Sequence, residues 1–178
     1  MRLALPLVLV LAACGQTQFF APLPSVSELR LNVRPDTVMI NEASIPEYAI
    51  NQEIPIQQPD GSLLADTDKL WADLPDRALA GSLMRHLNAI TDAQVAVEPW
   101  PLGGFPDAEV SIFVEDMIVL AAGSLRFTGS YAIRREEADG QVETFAIDVP
   151  MSGADYVTII AAHEAAWLQL AEQVARDL

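Results

Sequence analysis

The pattern of apolar positions predicts two amphipathic helices, one in the middle of the chain and one at its end. Apolar residues recur at three- and four-residue steps over 75–91 and again over 154–177, a spacing that places them on one face of an α-helix. The first helix opens with Pro75, a residue that suits the first helical turn. The apolar stripe of the second includes Tyr156 and Trp167, so we expect that side to pack against a sheet.

Alternation of apolar and polar residues predicts strands in the rest of the chain. Three strands are long and regular, over 110–119, 125–134 and 142–149, and the last two flank an Asp139-Gly140 turn that is typical of an antiparallel hairpin. The shorter predicted elements are strands over 29–33, 38–40 and 95–97, a brief helix over 46–51, and a hairpin that pairs 54–56 with 63–65 across Asp60-Gly61.

The order of these elements predicts an α/β fold. Strands, a helix, further strands and a last helix are expected to form one domain over 29–178, with a mixed, largely antiparallel sheet packed by two main amphipathic helices. The residues before it, 14–28, are polar and contain prolines, which favours a tether. Phe19 and Phe20 interrupt this tether, and two interpretations remain open for them: contact with a membrane surface, or packing on the domain.

The first 14 residues have the pattern of a lipoprotein signal. Arg2 precedes a short apolar stretch over 3–11, which is too short to span a bilayer, and small residues lead to the only cysteine, Cys14. Leu11-Ala12-Ala13-Cys14 matches a bacterial lipobox, which predicts cleavage between Ala13 and Cys14 and acylation of the Cys14 thiol. The alternative is an ordinary secretory signal with a chance cysteine.

Charge limits the partners that the chain can bind. The formal net charge of −15 would repel nucleic acid and anionic lipid headgroups alike. No second long apolar run follows the signal, so membrane attachment is expected to depend on acyl chains on Cys14. Gly15 stands where an Asp would indicate retention at the inner membrane, and it therefore favours the outer membrane.

The titratable residues predict no catalytic or metal site. His86 and His163, the two histidines, lie on or beside apolar helix faces and are expected to be buried in the core. Asp66-Thr67-Asp68 resembles the start of a calcium loop but lacks its glycine and closing glutamate. We therefore expect no metal and no cofactor apart from the covalent lipid, and we expect the protein not to be an enzyme.

One loop is a candidate for contact with a partner. Residues 100–106 are rich in proline and glycine and carry two aromatic residues, Trp100 and Phe105. Loops usually face water, so aromatic residues there can mark a binding surface. The alternative is that both rings cover the end of the core, an interpretation that suits Trp100 better than Phe105.

The order of several segments resembles the ABC-type transport auxiliary lipoproteins, the family of the PqiC-like membrane-integrity proteins. The resemblance covers about 29–178 and is carried by Trp71-Ala72-Asp73-Leu74-Pro75, by 95–101 and by 107–112. It departs from the family pattern at 20–23, where a Tyr-x-Leu strand is common. No catalytic residues are carried over from the family.

The resemblance implies a non-enzymatic auxiliary subunit. Such a protein would sit on the periplasmic face of the outer membrane and work with an MCE-domain (PqiB-like) protein that moves lipid between membranes. A homo-oligomer is also possible, and no nucleic-acid partner is expected. The alternative function is a stand-alone periplasmic lipoprotein that binds a small ligand or assists envelope assembly.

Overall fold

Three long antiparallel strands form the centre of the sheet. The structure, a computed structural model, describes residues 16–136 and 139–178. The strands in chain order are β1 Gln18–Phe20, β2 Thr37–Ile40, β3 Ile56–Gln57, β4 Leu63–Leu64, β5 Lys69–Trp71, β6 Gln94–Val97, β7 Ala108–Leu120, β8 Ser124–Arg135 and β9 Gln141–Pro150. The α-helices are α1 Pro75–Ile90 and α2 Tyr156–Asp177, and Glu47–Ala49 forms one 3₁₀ turn.

The main sheet is mixed, as the pattern predicted. β8 pairs antiparallel with both β7 and β9, whereas β2 and β3 both pair in parallel with the other edge of β7, at opposite ends. β6 extends the sheet beyond β2, and β4 extends it beyond β3. The expected α/β fold, with a mixed sheet and two helices in a single domain, is confirmed.

Residue alternation decides which face of the sheet the helices cover. Along β7, Val110, Ile112 and Val114 are buried, while Phe113 between the last two is exposed.

A shift in the pairing register of β7 and β8 follows Val114, whose partner on β8 is Gly129. A Cβ at Gly129 would stand 2.2 Å from the Phe113 carbonyl oxygen, so this close approach of two backbones requires glycine.

Two expectations about the first part of the chain need correction. The segment 29–33 is not a strand, because the Leu31 amide donates to the carbonyl of Ile90, the last residue of α1, and only Leu31 forms an isolated bridge. The described part of the predicted tether, 16–28, lies against the domain, because β1 pairs in parallel with β5, a strand that the pattern missed.

The aromatic centre of the core lies between α2 and β5. Trp167 is fully buried and stacks on Trp71 with ring centroids 5.6 Å apart. His163 is one turn earlier on α2, meets Trp71 edge-on at 4.9 Å, and donates from Nδ1 to the Ile159 carbonyl oxygen 2.8 Å away. Burial lowers the pKa of His163 to about 4 despite this hydrogen bond, so the ring is neutral at pH 7.

Replacing Trp167 by alanine should destabilise the protein by about 3 to 5 kcal/mol, because the change leaves a large cavity among fully packed side chains. Urea denaturation measures the free energy of unfolding. Gln169→Ala, at an exposed position on the same helix, is the control and should change it by less than about 0.5 kcal/mol. An unchanged unfolding midpoint for Trp167→Ala would contradict the packing described.

The neutral state of His163 predicts a specific pH dependence of stability. Between pH 6.5 and 4 the unfolded chain binds a proton at this ring while the folded chain does not. The contribution of His163 to the free energy of unfolding is therefore fully present above pH 6.5. It falls by about 3 kcal/mol as the pH drops to 4. Urea denaturation across this range should show a shallower decline for His163→Phe than for the parent. Parallel curves would mean that His163 is not the responsible group.

Candidate functional site

The candidate contact loop joins β6 to β7, and both of its ends are fixed. We call residues 98–107 the Phe105 loop. At its start, the Glu98 amide donates to the Ile40 carbonyl oxygen at 2.9 Å. At its end, the Asp107 carboxylate accepts from the Thr37 amide at 2.9 Å and from the Thr37 hydroxyl at 2.7 Å, while the Asp107 amide donates back to that hydroxyl. The loop tip is therefore held on a rigid base.

The tip of this loop presents an apolar side chain to solvent. The Phe105 residue is 87% exposed, the largest exposed fraction among the large exposed apolar residues of the described chain. It follows Gly104, whose φ of +78° lies in the left-handed region that favours glycine. Pro106 behind it is buried. Loop geometry therefore turns the ring outward instead of onto the core.

Trp100, the other candidate in this loop, lies differently. Its residue is half-buried, and its indole Nε1 is enclosed by the protein. The exposed part of the ring can still form the side of a contact surface. Phe105 is the better placed of the two for contact with a partner, because most of its surface is free.

Beside Phe105 lies a shallow cleft with charged walls. The cleft encloses about 360 Å³, with Phe105 on one side and the strand ends of β7 and β8 on the other. Arg134 and Glu109 form a salt bridge across these strands at 2.6 Å. Arg135 donates to the backbone carbonyl of Asp177, which ties the end of α2 to this end of the sheet. An apolar side chain beside charged groups resembles the centre and rim of a binding surface.

A second polar cluster, which the sequence reasoning missed, lies between the helices. The Glu164 carboxylate of α2 accepts from the Ser82 hydroxyl at 2.9 Å and lies 2.9 Å from His86 Nε2, both on α1. The Ser25 amide in the N-terminal segment also donates to it, at 3.1 Å. Both His86 and His163 are buried, as expected. The sequence reasoning did not anticipate that a carboxylate would meet His86.

Two sequence signals could have revealed this cluster. Ser82 and His86 are four residues apart, so they share one face of α1. Glu164 is a charged residue within a run of alanines on the buried side of α2, and a carboxylate in such a position requires partners.

The geometry of this cluster suits structure better than catalysis. Burial acts to raise the pKa of Glu164, but hydrogen bonds from His86, Ser25 and Ser82 outweigh it and hold the pKa below its usual value. A catalytic triad would place the histidine between the serine and the carboxylate. Here the Glu164 carboxylate lies between the serine and the histidine and accepts a hydrogen bond from the serine hydroxyl. The histidine therefore does not contact a nucleophile that it could activate.

The other predicted site residues and features lie as follows. Ala13 and Cys14, with the whole signal segment 1–13, fall outside the described residues. Within residues 16–136 and 139–178, no group of three or more His, Cys, Asp or Glu side chains is arranged to hold a metal ion. Among the helices of that same part of the chain, none combines the length and apolarity needed to cross a membrane.

Known structures share this fold. A crystal structure of an uncharacterized protein superposes with a TM-score of 0.74 at 15% identity, covering 92% of this chain and 99% of the other. Protein XCC0632 from Xanthomonas campestris, described as a DUF330 protein, superposes with a TM-score of 0.67 at 18% identity, covering 89% and 92%. No curated protein matches the sequence.

The sequence also matches a family model over nearly the whole described domain. The model is that of the ABC-type transport auxiliary lipoprotein component, and the match spans residues 23–175. It therefore includes β2 to β9, α1, all of α2 except its last two residues, and the Phe105 loop. It also includes the Glu164 cluster, which consists of Ser25, Ser82, His86 and Glu164. The chain belongs to the ABC-type transport auxiliary lipoprotein family.

Proposed function

We propose that the protein is an outer-membrane lipoprotein that serves an MCE-type intermembrane lipid transport system as a non-enzymatic subunit. Membership of the family supports an auxiliary role in transport and is consistent with a location in the cell envelope. The proposal adds the anchor on Cys14, the periplasmic face of the outer membrane, and an MCE-domain protein as the partner.

The observation that carries the proposal is the exposed Phe105 on a rigidly based loop within a transport auxiliary domain. An exposed aromatic ring on a fixed loop loses little conformational freedom when a partner covers it. Aromatic residues surrounded by polar groups are typical centres of binding energy in interfaces. Phe105, beside the Arg134–Glu109 pair, has this arrangement.

In this proposal the protein works by binding its partner. It catalyses no reaction and holds no cofactor other than the covalent lipid. Catalysis usually requires titratable groups that converge in an accessible cleft. The cluster around Glu164 is instead buried between helices and engaged in hydrogen bonds. The cleft beside Phe105 is bounded instead by a salt bridge, which suits recognition.

Replacing Cys14 by serine should abolish acylation and release the protein from the membrane fraction, because only a thiol forms the thioether to diacylglycerol. Acyl labelling and membrane fractionation of cells producing the full-length chain measure both effects. A Cys14→Ser protein that remained acylated and membrane-bound would contradict the lipobox interpretation.

Replacing Phe105 by aspartate should weaken capture of the MCE partner by at least about tenfold, the loss of about 1.4 kcal/mol of binding free energy. The reason is that the change removes an apolar contact and adds a charge that docking would desolvate. The measurement is a pull-down with the acylated full-length protein, with the partner identified and quantified by mass spectrometry.

Leu64→Asp is the matched control for this experiment. Leu64 is also an exposed apolar residue, at 60%, but it belongs to the hairpin beside the opposite end of β7. Both variants should keep the parent unfolding midpoint, since both side chains face solvent. Equal recovery of the partner with Phe105→Asp and the parent would exclude this loop as the contact, and recovery of no MCE protein with the parent would favour the stand-alone alternative.

A further inference from the structure

An apolar groove runs between the N-terminal segment and the first half of α2. We call it the N-terminal groove; its apolar walls are Phe19, Phe20, Leu23, Val157, Ile160 and Ala161. It encloses about 440 Å³, and three of its apolar residues project into solvent: Phe19 is 61% exposed, Leu23 84% and Val157 67%. Contiguous exposed apolar surface of this kind usually marks an interaction site.

The groove is held open by contacts on both sides. Phe20 stacks on Tyr156 with ring centroids 5.5 Å apart, which fixes the segment at the start of α2. The Ser25 amide donates to the Glu164 carboxylate, which fixes the segment about two turns further along the helix. The backbone that carries Phe19 and Leu23 is therefore fixed against α2 on both sides.

The position of the groove along the chain indicates what covers it. The Gln18 amide donates to the Asp68 carbonyl oxygen at 2.8 Å, so the chain is fixed to the domain from this residue onward. Cys14 precedes Gln18 by four residues, which can span at most about 14 Å. If Cys14 carries the acyl anchor, as the proposed function requires, the groove cannot stand far from the lipid headgroups, which form a layer of roughly 5 to 8 Å on each side of the hydrocarbon.

We propose that Phe19, Leu23 and Val157 insert into the phospholipid leaflet that holds the acyl anchor. The inference rests on the proposed lipidation of Cys14. With a formal net charge of −15 the protein gains nothing from anionic headgroups, and the nearby Lys69 donates to the Gln18 side chain. The contact is therefore apolar, is made with zwitterionic phospholipid, and depends little on salt.

This contact sets the orientation of the whole domain. α2 has 22 residues and is about 33 Å long. The groove lies along its first half, whereas its last residues reach Arg135, which pairs with Ala108 at the end of the Phe105 loop. Insertion of the groove thus places the Phe105 loop on the side of the domain that faces away from the membrane.

The test places a fluorescent reporter at each end of the molecule. Leu23→Trp reports on the groove, and Val142→Trp, at an equally apolar position that is 70% exposed near the Arg135 end of the sheet, is the matched control. The full-length acylated proteins are inserted into phosphatidylcholine vesicles with and without bromine on the phospholipid acyl chains. Parent fluorescence, from Trp71, Trp100 and Trp167, is subtracted.

The expected result is a blue-shifted emission and quenching by at least about half for Leu23→Trp, because its ring should reach the acyl boundary of the leaflet. Val142→Trp should show neither effect, and high salt should not reduce the quenching. The mass of each protein is measured first, to establish whether Cys14 carries its lipid.

Each other outcome overturns the inference in a distinguishable way. Acylated protein with equal quenching at both positions overturns it and leaves the proposed function intact. A blue shift at Leu23→Trp without quenching means that the groove holds the protein's own acyl chain or, if the shift depends on protein concentration, a second copy. If the purified protein carries no acyl mass on Cys14, both the proposed anchor and the proposed membrane contact are wrong.

Discussion

One buried carboxylate, that of Glu164, joins three parts of the chain that are far apart in sequence. It lies on α2, binds Ser82 and His86 on α1, and accepts a hydrogen bond from the Ser25 amide in the N-terminal segment. A carboxylate in an apolar interior is costly unless hydrogen-bond donors surround it. The need to satisfy Glu164 therefore selects the arrangement in which all three segments meet. Apolar stripes alone would hold the helices together, whereas the Glu164 contact also fixes the N-terminal segment against them at Ser25.

The fixed path of the N-terminal segment matters because it determines how the two exposed apolar surfaces are related. Phe19 and Leu23 are displayed beside the first half of α2, and Phe105 lies beyond its other end. The long strands β8 and β9 pack against α2 and make the domain a rigid spacer between these surfaces. The proposed function requires such a spacer, because a flexible connection between an anchor and a docking surface would let the Phe105 loop turn toward the membrane.

Periodicity predicted the elements whose stability comes from their own pattern. The stripe that includes Trp167 and the alternation along 110–119, 125–134 and 142–149 gave the helices, the long strands and the fold class, because burial of one face leaves only one register that keeps apolar residues inside. β1 and β5 were missed for the opposite reason: each has only three residues, and their pairing joins segments that are far apart in sequence. Exposure of Phe105 could be suggested from its Gly-Gly loop but not decided, since the outward turn depends on the Thr37–Asp107 hydrogen bonds at the loop base.

The Glu164 cluster shows why polar interiors are harder to predict than apolar ones. A histidine on an apolar helix face is compatible with a neutral core position, as for His163, or with a carboxylate partner, as for His86, and the two differ only in what the opposing element offers. His163 meets two tryptophan rings, so burial lowers its pKa to about 4. His86 meets Glu164, whose own pKa is held down by the same contact. The protein thus uses its two histidines in different ways within the same helix pair: His163 fills space among aromatic rings, and His86 hydrogen-bonds the carboxylate that also holds the N-terminal segment at Ser25.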